Sequence, residues 1–482
     1  MRNATIKLQG FWALGMLAVL LGGARAQDST ETSAQPPQQP VPAYGQDTTL
    51  PPIVENPPIS GIDQPGLEPH GAPLSYLQPG ATISESADSN VANAVGAGSV
   101  RSVSRAIGSV TLQRLWRNYD LALQYMGGAA YYNLSGLGWK QLQQLDLDQR
   151  ITWKRGQLSL RDSASYLPEG NFGGAYGSLG SQGIASLGNS AFRGFWGGAE
   201  LGTLGLVPRL MNVSVADISE NLTPKSAVTA AGGYAFTHFY GTDPNTGVQY
   251  LGTKQVSGQV AYDRILTPRT QVALLYGYQG FDFSTVGNAF HSHLIEAMYG
   301  HRISGRMDFL IAAGPQITQI SFCPVFAGSC QVPRVPDTRI GGAGQARLRY
   351  QLPRTSLDLT YERIETAGSG VFAGALTDVG TFRAERRLSR VWNAFLDVGY
   401  ARNSRTQLAS EGINANTYNY GFAGAGLHRS LGRNFHAFLS YQFNQLLFDR
   451  SLCGTATACG RISNRQEGTI GLDWTPRPIR ID

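Results

Sequence analysis

Long hydrophobic runs are missing from this sequence after its first two dozen residues, and charge is scarce, at 15% Asp, Glu, Lys and Arg. A membrane-spanning helix needs roughly twenty consecutive apolar residues, so no helical span is expected beyond the N-terminus. The net charge of +6 comes without a basic run or basic-aromatic interleaving, so we expect no nucleic-acid partner. Only seven histidines and four cysteines are present.

Glycine and aromatic residues are plentiful instead, with 59 glycines, 10% aromatics and a mean hydropathy of −0.17. Near-neutral hydropathy with alternating polar and apolar positions is typical of strands that cross a membrane, because one face meets lipid and the other a wet interior. Closed antiparallel barrels also allow one domain to run long. The composition therefore favours an all-β membrane protein.

The N-terminus has the pattern of a secretory signal peptide. Arg2 and Lys7 precede an apolar run from Phe11 to Leu21, and Ala24-Arg25-Ala26 offers a small-x-small cleavage site. A single transmembrane anchor is the alternative, but the run is shorter than a helical span. We predict a signal peptide over 1–26, removed before Gln27.

Residues 27–106 are rich in Pro, Gln, Ser and Asp and poor in large apolar side chains. Such a segment buries too little apolar surface to offset the entropy lost on folding. We predict a Pro-rich disordered arm in the periplasm. It is either a solvated linker or, over Pro57 to Pro79, a docking segment for a periplasmic partner.

A short turn carrying a cation recurs along the rest of the chain. Leu266-Thr267-Pro268-Arg269-Thr270 is one copy, and the others are 222–226, 352–355, 388–390 and 431–434. Proline presets φ at the second turn position and cannot continue a paired strand. The sequence alternates with period two on both sides of each copy, which predicts hairpins.

The hairpins together predict an all-β fold, a transmembrane antiparallel up-and-down β-barrel over 107–482 with about sixteen strands, in a range of roughly 14 to 18. All the short turns fall at one end, which is periplasmic in barrels of this kind. The Gly-rich stretch 168–206 would be a long external loop, either mobile outside the barrel or folded inward as a plug.

Charged side chains are predicted to face the lumen on several neighbouring strands. Opposed charges there either select ions by sign or form a salt-bridged ladder that fills the lumen, and an arginine excess would favour anions. The predicted pore-lining residues are Asp146, Asp148, Arg150, Arg306, Asp308, Arg347, Arg349, Asp358, Glu362, Arg383, Glu385, Arg387 and Asp397.

The cysteines form two close pairs, Cys323 with Cys330 and Cys453 with Cys459, each in a predicted external loop. This spacing favours two local disulfides over zinc, since neither pair has a metal-site spacing or nearby histidines. No cofactor or metal is expected.

His291 and His293 share one strand face, which suits a rim position better than a metal site. For catalysis, only His436 and Ser440 with Asp397 could be assembled, and nothing in the sequence marks the serine as activated. We therefore predict that the protein is not an enzyme.

The turns and strands such as Val272–Tyr278 resemble the little-characterised β-barrel porins of bacterial outer membranes, some of which accompany exopolysaccharide export. The resemblance covers roughly Asp120 to Trp474 and implies an outer-membrane location and passive transport. Many such chains end on an aromatic residue that the barrel-assembly machinery recognises, whereas here Trp474 is followed by Pro476-Arg477-Pro478.

We therefore expect a channel for small polar or anionic solutes, with outer-membrane lipid and the assembly machinery as partners. The alternative is a non-conducting accessory barrel of an exopolysaccharide or protein export system, which binds periplasmic export proteins through the Pro-rich arm and loops.

Overall fold

The computed structural model describes residues 75–91, 99–116, 118–134, 137–168, 208–240, 250–283, 288–322, 325–326, 329–330, 335–368, 373–406, 417–448 and 462–481. All of them belong to the second of the chain's two compact units, Pro42–Asp482. No helix among these residues is long and apolar enough to cross a membrane.

Eighteen long strands form one closed antiparallel sheet, an up-and-down β-barrel. The barrel strands are β1 (Tyr76–Asp88), β2 (Arg101–Leu115), β3 (Tyr119–Tyr132), β4 (Gly138–Trp153), β5 (Gly156–Leu167), β6 (Arg209–Thr223), β7 (Ser226–Phe239), β8 (Thr253–Thr267), β9 (Thr270–Phe283), β10 (Asn288–Ser304), β11 (Met307–Phe322), β14 (Val335–Leu352), β15 (Thr355–Thr366), β16 (Ala375–Arg387), β17 (Trp392–Arg405), β18 (Thr417–Ser430), β19 (Phe435–Phe448) and β20 (Ile462–Trp474).

Three further strands are two residues long. β12 (Val325–Phe326) and β13 (Ser329–Cys330) pair with each other between β11 and β14. β21 (Ile479–Arg480) pairs with the start of β1. The barrel closes where β1 pairs with β20, with Ala81–Asp88 opposite Trp474–Glu467. Closure leaves none of the eighteen strands with an unpaired edge.

The predicted all-β barrel is confirmed, but its strand count is slightly off, since eighteen long strands and one extra short strand stand against about sixteen expected. The two strands beyond about sixteen are β1 and β2. The boundary of the predicted arm at residue 106 is therefore wrong, because Tyr76–Asp88 and the first residues of β2 belong to the barrel wall. The predicted signal peptide over 1–26, residues 27–74 of the arm, and the loop 168–206 apart from residue 168 lie outside the described residues.

Composition did not indicate that β1 is a strand, because a strand of a barrel wall needs apolar residues on one face only. The luminal positions of β1 are small and polar, with Ser84, Ser86 and Asp88 all buried, whereas Ile83 on the other face is 61% exposed. A strand of this kind resembles a disordered segment by residue count, although the period-two pattern is present.

The recurrent cationic turns form one end of the barrel, and they share a hydrogen-bond pattern. The hydroxyl oxygens of Thr223, Thr267 and Ser304 accept the backbone N–H of Lys225, Arg269 and Arg306 at 3.2, 3.3 and 3.2 Å. The carbonyl oxygens of Lys225 and Arg269 accept the backbone N–H of Ile265 on β8 and of Arg302 on β10, each at 2.8 Å. The hydroxyl two residues before the cation thus has a role, because it accepts the cationic residue's N–H inside the turn.

The two faces of the barrel wall are clearly different. Apolar side chains on the outer face stay exposed, as for Leu274 at 59%, Leu439 at 54% and Tyr400 at 53%. Polar side chains fill most of the luminal face. An apolar outer surface that encircles the molecule is the kind that lies in lipid, since in water it would promote aggregation.

Candidate channel lumen

A row of alternating charges crosses six neighbouring strands on the luminal face. The residues stand directly opposite one another in the ladder, from β10 through β11, β14, β15 and β16 to β17, in the order Arg302, Asp308, Arg349, Asp358, Arg383 and Asp397. We call these six residues the charge row. Opposite charges on facing positions stabilise a strand pair, so the row supports the register of this wall.

Ion pairs form both along the row and diagonally to it. Arg349 donates to Asp308 Oδ2 from Nη2 at 2.8 Å and from Nε at 3.0 Å. Arg347 Nε donates to Asp358 Oδ2 at 3.1 Å, and Arg383 Nη2 lies 3.7 Å from Asp397 Oδ2. Each of these luminal charges thus has an opposite charge beside it, so they act as a balanced set.

Most of these pairs face open space. The Arg347 and Asp358 side chains are 23% and 22% exposed, and Arg383 is 37% exposed. Glu362 and Glu385 lie on the same face of β15 and β16 and are also partly exposed. The luminal side of β14–β16 is therefore a solvent-accessible wall, which we call the open wall.

Two predicted pore residues lie at the rim instead. Arg306 occupies the two-residue turn between β10 and β11, and Arg387 is the last residue of β16; both are exposed. Alternation alone assigned them to the luminal face, but it does not show how close a position lies to the end of the barrel: Arg306 precedes β11 by one residue, and Arg387 ends β16. They face the barrel's short-turn mouth, so they do not line the open wall.

The predicted luminal charges of β4 point inward, but into a closed part of the wall. Asp146 is buried and accepts hydrogen bonds from Ser163 Oγ at 2.6 Å and Gln144 Nε2 at 2.8 Å. Asp148 is also buried, and Arg150 is partly buried on the same face. On the next two strands, Arg161 pairs with Asp217. Asp146, Arg161 and Asp217 are thus held by protein partners.

Part of the luminal face is apolar, whereas the sequence analysis predicted polar and charged side chains there. A buried cluster on β6–β11 and β14 is built from small and aliphatic side chains: Val213, Val215, Ala231, Ala235, Ala261, Ala273, Leu275, Leu294, Met298, Ala312 and Ala343. The luminal face of these strands is therefore partly apolar, whereas the open wall carries partly exposed charges.

A second ionic cluster at the barrel seam was missed from the sequence. Arg465 Nη2 and Nε donate to Asp88 Oδ2 at 2.6 and 2.8 Å, and Arg105 Nη2 lies 3.2 Å from Glu467 Oε1. All four side chains are at most 5% exposed. Asp88 and Arg105 lie within 27–106, which was predicted to be a disordered arm, so they were not predicted to be luminal residues.

His291, His293 and Asp397 make contacts that fit neither a metal site nor a catalytic site. His291 and His293 lie on the outer face, where their Nδ1 atoms are 2.8 and 2.9 Å from the hydroxyls of Tyr278 and Tyr276. Asp397 pairs with Arg383 and lies two strands away from Ser440. The described residues contain no group of three side chains suited to a metal ion.

The predicted disulfides cannot be followed in the structure. Cys323, Cys453, Cys459 and the side chain of Cys330 lie outside the described residues. The two disulfides therefore stay predictions.

No family model matches the chain, and no curated protein matches it. Solved structures with a similar architecture include Pseudomonas aeruginosa OccK2 (OpdF) in complex with glucuronate, at 8% identity and a TM-score of 0.41, over 85% of this chain and 98% of that one. Pseudomonas aeruginosa OccK5 (OpdH) has 11% identity and a TM-score of 0.40, over 84% and 98%.

The ferric citrate transporter FecA has 10% identity and a TM-score of 0.45, over 84% of this chain and 65% of that one. The porin-like barrel expected from the sequence is confirmed at the level of the fold by the closed antiparallel sheet of the chain itself.

Proposed function

We propose that the protein is an outer-membrane channel for the passive passage of small polar solutes, and that it carries no enzymatic activity. The observation that carries the proposal is the open wall, where charged side chains inside a closed barrel remain partly exposed. A barrel of eighteen strands is wide enough to leave an aqueous passage when its lumen is not filled.

The charges on the open wall and on β11 are nearly balanced, which bears on the class of solute. Four carboxylates, Asp308, Asp358, Glu362 and Glu385, stand near three arginines, Arg347, Arg349 and Arg383. Two of the arginines predicted to line the pore, Arg306 and Arg387, lie at the rim, so the wall has no arginine excess that would favour anions. We therefore propose solutes that are uncharged or carry both signs, because paired charges offer hydrogen bonds without a strong net field.

The outer face and the connections support the location. Exposed apolar side chains encircle the barrel, and its short turns fall at one end, as in outer-membrane barrels whose short turns are periplasmic. Tyr76 pairs with Arg480 at that same end. The arm before Tyr76 would then begin in the periplasm.

Liposome swelling in isotonic sugars tests the proposal with a matched pair of variants. Thr360 and Thr381 face each other on the open wall, with their hydroxyl oxygens 2.5 Å apart, so Thr360→Trp adds bulk to the passage. Leu359→Trp adds a similar bulk on the outer face, where Leu359 is 49% exposed.

We expect sugar flux through the native protein, a severalfold lower flux for Thr360→Trp and an unchanged flux for Leu359→Trp. An absence of flux through correctly folded native protein would contradict the channel and favour the accessory-barrel alternative.

A further inference from the structure

The short-turn mouth contains a cavity whose lining is rich in cations. It has a volume of about 470 Å³ and lies among the β4–β5 turn, the β6–β7 turn and the end of β8. Its charged lining residues are Lys154, Arg155, Lys225, Arg264 and Asp263. Four cations against one carboxylate leave a net charge of about +3 in a confined space.

The four cations have no competing partner among the residues that the structure describes. All four are exposed, and none takes part in an ion pair of the described part of the chain. Asp263 is buried at 5% exposure. The cations are therefore available to a ligand.

The backbone around the cavity is fixed. Asn221 N–H donates to the carbonyl of Arg155 at 2.7 Å, and Ile265 N–H donates to the carbonyl of Lys225 at 2.8 Å. Thr223 Oγ1 and Ser226 Oγ are 2.7 Å apart within the lining. Both turns are thus tied to the neighbouring strand pair, which holds the cationic side chains on a preformed base and lowers the entropic cost of binding.

We propose that this cavity binds a phosphate or carboxylate group of a ligand on the periplasmic side. Arginine offers planar paired donors to such oxygens and lysine a compact charge, and hydroxyl and amide groups of the lining can complete the hydrogen bonding. The group belongs either to a soluble polyanion or to a phospholipid headgroup of the adjoining leaflet. The site does not depend on whether the lumen conducts.

The test measures binding of pyrophosphate by calorimetry to the whole protein in phosphatidylcholine nanodiscs. The variant Lys154→Gln, Arg155→Gln, Lys225→Gln, Arg264→Gln removes the cationic lining. The control removes the same number of exposed turn cations outside the cavity, by Arg306→Gln, Arg354→Gln, Arg390→Gln and Arg433→Gln. Heat-modifiable mobility in gels shows that all three proteins are folded barrels.

We expect saturable, salt-sensitive binding that falls about tenfold or more in the cavity variant and stays within about twofold in the control. Phosphatidylglycerol in the nanodiscs distinguishes the two sources. If it suppresses pyrophosphate binding, a lipid headgroup is the ligand, and if binding persists, the ligand is soluble. No saturable binding in phosphatidylcholine, or an equal loss in the control, would overturn the proposal.

Discussion

At the scale of the residue, the charge row shows how a barrel can keep ionised groups inside without a strong net field. Each carboxylate in the row has an arginine opposite it in the ladder. Asp308 and Asp397 form ion pairs with the arginines opposite them, Arg349 and Arg383, and Asp358 forms one with its diagonal neighbour Arg347. Period-two alternation predicted that five of these six side chains, all but Arg302, face inward. It could not predict their register, because register depends on where each turn begins.

The balance of the row can be shifted in either direction by one substitution. Arg349→Gln removes a cation and leaves Asp308 and Asp358 under-compensated, so the ratio of cation to anion permeability should rise severalfold. Asp358→Asn should shift the ratio the other way. The reversal potential in a salt gradient measures both, and Arg354→Gln, on an exposed turn, is the control. Equal shifts for all three variants would show that the row does not face the passage.

The seam cluster predicts a difference between buried and exposed ion pairs. Arg465→Met leaves Asp88 buried without its arginine, while Glu467 keeps Arg105, and the free energy of unfolding should fall by about 3–5 kcal/mol. Arg363→Met breaks a pair with Asp378 that is 43% and 26% exposed and should cost about 0–1 kcal/mol. Urea unfolding of both variants in lipid vesicles measures the difference, and similar losses would contradict the structural role of the seam.

At the scale of the element, the short turns were the part that sequence predicted best. Their proline, hydroxyl and cation positions are determined by local hydrogen bonds, which a local motif can report. β1 was the part predicted worst. It pairs with β2, the next strand, but its other long partner, β20, lies at the opposite end of the chain, and only when the barrel closes does its polar, serine-rich face lie in the lumen.

Truncation tests whether β1 is part of the wall. A chain that begins at residue 75 keeps β1, and it should refold in detergent to a barrel with heat-modifiable mobility. A chain that begins at residue 99 lacks β1, so the edges of β2 and β20 would lose their paired strand, and refolding should fail or yield aggregates. Equal refolding of the two chains would show that the barrel closes without β1.

At the scale of the whole molecule, the lumen is divided into regions of different character. The seam and the β4–β6 wall hold buried, partnered charges, β6–β11 carry the apolar cluster, and β14–β16 carry accessible charges. Sequence alternation assigns the luminal face of a strand. Whether that face is open or covered depends on the side chains across the lumen, which belong to other strands. The open wall could therefore be recognised only in the closed barrel.

Single-channel conductance in a planar bilayer tests the central claim most directly. The native protein should open a channel, Thr360→Trp on the open wall should reduce its conductance severalfold, and Leu359→Trp on the outer face should not change it. A folded native protein that inserts without conducting, or equal conductance in both variants and the native protein, would contradict a passage along β14–β16.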